Sequence, residues 1–276
     1  MFTLNCKGNL LTINRPIVMG ILNINEDSFY SGNRYTTGDA LLTRAKQMIR
    51  DGAAILDIGG QSTRPGSELI SADEELTRVI PAIQAVHTAF PEAVISVDTF
   101  YAKVATEAVR AGASIVNDIS AGSLDEELID TVASLNVPYI LMHMQGTPQT
   151  MQTDPQYENV CREVLDFFVR KTAVLRGKGI KDIVLDPGFG FGKTASHNFT
   201  LLKNLDLFKI LDLPILLGVS RKGFIYRTLG TDAEQALNGT TVLNTVGLLN
   251  GANILRVHDV KQATEAIQLT RSIYPY

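Results

Sequence analysis

The chain is poor in cysteine, in clustered charge and in long apolar runs, and each shortage closes off a class of protein. Only two cysteines occur, Cys6 and Cys161, far apart in sequence. That excludes a disulfide framework and reads as two reduced thiols in a cytoplasmic protein. No block of lysine and arginine stands out and the net charge is −4. This argues against a nucleic-acid surface and against adsorption to a membrane. No apolar stretch approaches the roughly 20 residues of a membrane span. Residues 1–25 lack a charged segment followed by an apolar one, so no signal peptide is expected. The histidines, His87, His143, His197 and His258, show neither HxH nor HExxH spacing, which speaks against a zinc site.

What the chain does have is a repeated pattern. Its 276 residues are 45% hydrophobic and include 22 glycines, enough for a large core and many tight turns. Eight short apolar runs each end at a polar residue: 17–22 before Asn23, 54–56 before Asp57, 94–97 before Asp98, 114–116 before Asn117, 139–142 before His143, 183–185 before Asp186, 215–219 before Ser220 and 253–255 before Arg256. Helical periodicity fits the segments between them, at 38–50, 73–90, 103–110, 126–135, 157–176, 200–206, 233–249 and 261–273. A Gly-Ala turn recurs at Gly52-Ala53, Gly112-Ala113 and Gly251-Ala252, each followed by an apolar triplet. Glycine suits the position just past a helix C-terminus, and unalternating apolar runs suit parallel strands covered on both faces. The pattern predicts a (β/α)8 TIM barrel, one domain over 1–276, with a doubly wound open sheet as the runner-up. Residues 2–13 are predicted as a β-hairpin about Lys7-Gly8-Asn9 that closes the barrel bottom. In such barrels the strand C-termini converge on one face, and active sites are built there.

The polar strand ends are therefore the candidate site. The segment Asp186-Pro187-Gly188-Phe189-Gly190-Phe191-Gly192-Lys193-Thr194 invites a phosphate-loop reading, but the pattern needs glycine where Pro187 stands, and the dinucleotide fingerprint does not fit either. Asp186 at a strand end can accept two parallel N–H bonds from a guanidine-like ring edge, although a capping Asp in a barrel loop satisfies the same spacing. Asp98 and Asn117 end neighbouring strands and could face the same nitrogen-rich ring, or else satisfy loop N–H groups. Loops at 61–66, 220–222 and 256–259 bring cations and a hydroxyl to the mouth, as an anionic group requires, with surface ion pairs as the alternative. Asn23 offers an oxygen suited to a hard ion such as Mg2+ bridging phosphates.

Nine segments in order resemble the signature blocks of the bacterial dihydropteroate synthase family, a pterin-binding barrel family: Met19–Asn23, 27–29, 62–66, 96–99, 117–119, 141–144, 185–191, 220–222 and 256–260. They span nearly the whole chain. The resemblance implies condensation of 6-hydroxymethyl-7,8-dihydropterin diphosphate with p-aminobenzoate, releasing pyrophosphate by a dissociative substitution. It implies that Asp98, Asn117, Met142, Asp186, Phe189, Lys222 and Arg256 bind the pterin, and that Thr63, Arg256 and His258 hold the diphosphate. Phe29, Arg64, Pro65, Phe189, Ser220 and Lys222 would frame p-aminobenzoate, and Asn23 would bind Mg2+. A cytoplasmic homodimer inhibited by sulfonamides is expected. Two other readings share the pocket: a pterin-binding paralogue with weak or no turnover, and a methyltetrahydrofolate–corrinoid methyltransferase. The first loop departs from the family. Asn25-Glu26 replaces Thr-Pro, and Tyr30-Ser31-Gly32-Asn33 replaces Ser-Asp-Gly-Gly. Gln61 replaces Glu in the second loop. The family's second loop-one aspartate, implied to stabilise a developing cation, is thus Ser31, leaving Glu26 and Asp27 as candidates to supply the charge.

Overall fold

The structure, a computed structural model, describes residues 1–24, the backbone of 34–38, and residues 39–61 and 69–274. A hairpin, β1 (Phe2–Cys6) and β2 (Asn9–Ile13), comes first. There follow β3 (Ile17–Asn23), α1 (Arg34–Arg50), β4 (Ala53–Gly59), α2 (Ala72–Ala89), β5 (Val94–Asp98), α3 (Ala102–Ala111), β6 (Ile115–Asp118), α4 (Leu128–Leu135), β7 (Tyr139–Met142) and α5 (Val160–Gly177). The rest is β8 (Ile183–Asp186), α6 (Ala195–Lys203), a 3-10 helix (Leu205–Leu211), β9 (Leu216–Leu217), α7 (Gly223–Leu229), α8 (Leu237–Leu249), β10 (Ile254–Val257) and α9 (Val260–Ile273). The main sheet is parallel and runs β8-β7-β6-β5-β4-β3-β10-β9. A parallel bridge between Leu185 and Ile215 joins its two ends. The sheet is therefore the expected (β/α)8 barrel and not the open alternative.

Local chemistry explains most element ends. The recurring glycines take φ of +102° at Gly52, +127° at Gly112 and +102° at Gly251, a region that favours glycine and reverses the chain after α1, α3 and α8. The last two helix–strand connections differ from expectation. The helix expected at 200–206 is the end of α6, which starts earlier because Thr194 caps it, its Oγ1 accepting from His197 N at 3.2 Å. The helix expected at 233–249 starts only at Leu237, and α7 precedes it unforeseen. Strand β9 shrinks to two residues.

The barrel interior follows from the two-residue strand period. Met19, Ile55, Ile115, Ile140, Val184, Leu216 and Ile254 form one apolar cluster with Leu4, Cys6 and Ile13 of the hairpin. The hairpin thus plugs the N-terminal end, and Asn5 N anchors it to Asp182 Oδ2 at 3.0 Å. The intervening strand residues, such as Leu56, Ile95, Val97, Val116, Leu141 and Leu185, face outward into the core shared with the helices. Two residues above the apolar floor, the inward positions become Asp57, Asn117, Met142, Asp186, Gly218 and Arg256. On β5 the series Val94, Ser96, Asp98 reaches the same level. The floor is apolar because it is closed by the hairpin; the mouth is polar and charged.

Candidate active site

Arg256 sits at the centre of the mouth. Its Nε donates to Asp57 Oδ2 at 2.7 Å and its Nη2 to Asp98 Oδ2 at 2.6 Å. Asn117 Nδ2 donates to the same Asp57 oxygen at 3.1 Å. Asp57 is fully buried, and its Oδ1 has no protein partner among the described residues. Burial raises the Asp98 carboxyl to about 7 although Arg256 pulls it down. The mouth thus holds a guanidinium shared by two carboxylates, with an amide beside it. Asp57 was missed as a site residue; it ends an apolar run like the others, but nothing in its surroundings in sequence marks it as the Arg256 anchor.

The second half of the mouth is built on the glycine-rich loop after β8. Asp186 Oδ1 accepts from Gly188 N at 2.8 Å, and the carboxyl is almost fully buried. Burial raises its pKa, opposed first by Lys222. Lys222 donates to the Phe189 carbonyl, and its Nζ lies 4.2 Å from the centre of the Phe191 ring. Burial lowers the Lys222 ammonium to about 8 while Asp186 pulls it up. Met142 and Phe191 pack with Phe100, Ile119 and Met151 as the apolar wall. A charged acceptor, a cation and a flat apolar wall in one mouth suit a planar, nitrogen-rich ring.

Two expectations need correction. The Phe189 ring is fully buried in the main core. Its carbonyl faces Lys222, while the neighbouring Phe191 supplies the aromatic wall. Arg221 is not a cation of the mouth: its Nε and Nη2 grip Asp259 at 2.8 and 3.0 Å, and its Nη1 caps the Ala233 and Glu234 carbonyls. Lys193, which ends the segment where the phosphate-loop pattern fails, is turned inward onto carbonyls and His143. Ser220 Oγ lies 3.0 Å from His258 Nδ1 and accepts from His258 N at 3.2 Å. Burial, then Arg256, lowers the His258 pKa to about 4, so the ring is neutral. Asn23 stands exposed at the C-terminal end of β3. Glu26, Asp27, Phe29, Ser31, Thr63, Arg64 and Pro65 lie outside the described residues.

Against this geometry, a family model described as pterin binding enzyme matches residues 19–258. The chain is 42% identical over 269 residues to a dihydropteroate synthase of Escherichia coli (strain K12), covering 96% of this chain and 94% of that one. The chain belongs to the dihydropteroate synthase family. A Yersinia pestis dihydropteroate synthase solved as a sulfonamide drug complex superposes with a TM-score of 0.93 at 38% identity, over 100% of both chains. A Xanthomonas albilineans dihydropteroate synthase in complex with 7,8-dihydropteroate superposes with a TM-score of 0.88 at 36% identity, again over 100% of both.

The loop that carries Asp186 tolerates no side chain at its first turn. Gly188 has φ +70°, and a Cβ there would meet the His143 carbonyl oxygen at 1.8 Å. Backbone strain and overlap together are expected to cost more than about 2 kcal/mol. Gly188→Ala should therefore lower the melting temperature by at least about 5 °C. A thermal melt within about 1 °C of wild type would contradict this loop geometry.

Proposed function

We propose that this dihydropteroate synthase family member, a transferase of folate synthesis, joins 6-hydroxymethyl-7,8-dihydropterin diphosphate to p-aminobenzoate and releases pyrophosphate. The observation that carries the reading is the polar layer of the barrel mouth, where Asp98, Asn117, Asp186, Lys222 and Arg256 converge above an apolar floor. Asp186 accepts the 2-amino and N3–H edge of the pterin, and Lys222 donates to its ring carbonyl and N5. Asp98 and Asn117 meet the remaining polar atoms. Met142 and Phe191 cover the ring.

Arg256 and the neutral His258 present donors to the departing diphosphate, together with Thr63. Among the described residues no cluster of three or more carboxylate, histidine or cysteine side chains could hold a metal by itself. Asn23, exposed at the C-terminal end of β3, offers one neutral amide oxygen, which fits a hard ion carried mainly by diphosphate, and it would hold Mg2+ through that oxygen. That ion would supply charge neutralisation for the leaving oxygens. The C–O bond to diphosphate breaks first, leaving a pterin methylene cation. The p-aminobenzoate nitrogen then bonds to that carbon and loses one proton. The protein contributes positioning and stabilisation of separating charge. Ser220, Arg64, Pro65 and Phe29 frame the aminobenzoate, and sulfonamides compete with it.

We further propose that the chain works in the cytoplasm as a homodimer, supported by the exposed apolar side chains Leu229 of α7 and Val242 and Leu249 of α8. The activity is tested by pyrophosphate release. Release should require both substrates and stop when either is omitted. Absence of release with both present would favour a pterin-binding paralogue without turnover.

The altered first loop yields a further expected result. If a loop carboxylate stabilises the cation, Ser31→Asp should raise kcat, by about tenfold for 1.36 kcal/mol of barrier, with little change in pterin affinity. If Glu26 or Asp27 already supplies the charge, Glu26→Gln or Asp27→Asn should be the damaging change. Steady-state kinetics unchanged in every variant would remove loop-one charge from the mechanism.

A further inference from the structure

Lys193 closes the glycine-rich segment, and the reading above gives it no part. The residue is 3% exposed. Its Nζ donates to the Gly188 carbonyl at 3.0 Å, the Phe191 carbonyl at 2.9 Å and the His143 carbonyl at 3.3 Å, and lies 2.9 Å from His143 Nδ1. An ammonium has three donors and no lone pair, so this cage of acceptors matches the charged form. Burial, then the Lys193 charge, lowers the His143 pKa to about 2, so its ring is neutral and Nδ1 is free to accept. Gly188 links this cage to the mouth. Its carbonyl is held by Lys193, and its own N–H donates to Asp186 Oδ1 at 2.8 Å.

We propose that Lys193 is a positioning residue for ring binding: its ammonium braces the loop from 186 to 193 and holds Asp186 ionised from behind. The inference rests on the assignment of Asp186 to the N–H edge of the pterin. A buried carboxyl drifts toward its neutral form, which offers that edge one acceptor fewer. The charged groups acting on Asp186 are Lys222 from the loop after β9, Arg256 of β10, and Lys193, with Asp98 of β5 as the like charge. Those around Lys193 are Asp186 and Lys222, with neutral His143 from the loop after β7. Burial lowers Lys193 to about 7 and Asp186 pulls it back up, so each charge supports the other. Lys222 and Arg256 are placed to meet ligand from the mouth; Lys193 acts from the closed side.

The test is calorimetric binding of 6-hydroxymethylpterin, which carries no diphosphate, from about pH 8 down to about pH 4. Two neutral variants, Lys193→Met and Lys193→Gln, are compared with wild type. Asn198→Ala is the structural control. Asn198 Oδ1 accepts from Gly190 N at 2.7 Å and its Nδ2 donates to the Lys193 carbonyl at 3.3 Å, so its loss loosens the same loop without removing a charge. In the neutral Lys193 variants, binding should fail about one pH unit higher than in wild type, an extra loss of about tenfold on the acid side. Asn198→Ala should weaken binding by a similar factor at every pH. An acid limb unmoved in the Lys193 variants, or moved equally by Asn198→Ala, overturns the proposal. So does failure of both Lys193 variants to fold, which would make the residue a stability element of the barrel. Wild type that binds no pterin at any pH would overturn the ligand reading itself, and this inference with it.

Discussion

Asp186→Asn is expected to remove pterin binding while leaving the barrel folded. Among the described residues the carboxylate makes one hydrogen bond, Oδ1 accepting from Gly188 N at 2.8 Å. The substituted amide can keep that bond only through its oxygen, which turns its NH2 toward the ring edge. Two charge-assisted acceptors then become one neutral acceptor and one donor that faces a ring donor. Hydrogen bonds to a charged group contribute about 1.5–3 kcal/mol each, so the loss should reach about 3 kcal/mol or more, at least about a hundredfold in Kd. Titration calorimetry with the pterin diphosphate measures it directly, and a thermal melt checks that the Gly188 turn survives. Affinity within about threefold of wild type would remove Asp186 from the ring-binding role.

Asp186 was legible because strand ends in a barrel all point the same way. The same rule made Asp98, Asn117 and Arg256 legible: each ends an apolar run, and the two-residue period sets Asn117 above Ile115, Arg256 above Ile254 and Asp98 above Ser96 and Val94 on the inward face. What the rule does not give is who pairs with whom. Arg256 and its anchor Asp57 are 199 positions apart and meet only because β10 and β4 lie either side of β3 around a closed barrel. Loop residues were harder. Gly188, Gly190 and Gly192 all have positive φ, so neither strand nor helix periodicity tells which of Phe189 and Phe191 turns to the mouth. Arg221 was misplaced for a related reason. It sits between Ser220 and Lys222, yet its own φ of +53° turns it away to Asp259. The seven-residue α7 is too short to show a period of its own.

The network that sequence could not pair carries the second large effect. Arg256→Met should destabilise the fold as well as weaken diphosphate binding. It removes the guanidinium that both Asp57 and Asp98 share, at 2.7 and 2.6 Å, and leaves two buried carboxylates facing each other. Breaking a buried ion pair by deleting one partner costs about 3–5 kcal/mol, because the survivor remains charged and desolvated. For a chain of this size that corresponds to a fall of about 10 °C in melting temperature. The effect must depend on pH, and its sign is fixed. Burial raises the Asp98 carboxyl to about 7 in the folded state, above the value of an unfolded carboxyl. The folded state therefore binds more protons than the unfolded one between the two values, and stability falls as pH rises through that window. Without Arg256 the folded-state pKa climbs further and the penalty grows on the alkaline side. Thermal melts at about pH 5 and about pH 8 should show a smaller deficit for the variant at the first than at the second, because the Asp98 part of the penalty is lost as that carboxyl takes up its proton. Adding Asp57→Asn to Arg256→Met should recover part of the loss, since it removes one of the two stranded charges while Asn117 can still meet the amide oxygen. Equal deficits at both pH values, or no recovery in the double variant, would show that Arg256 stabilises the barrel by packing and not by satisfying the two carboxylates.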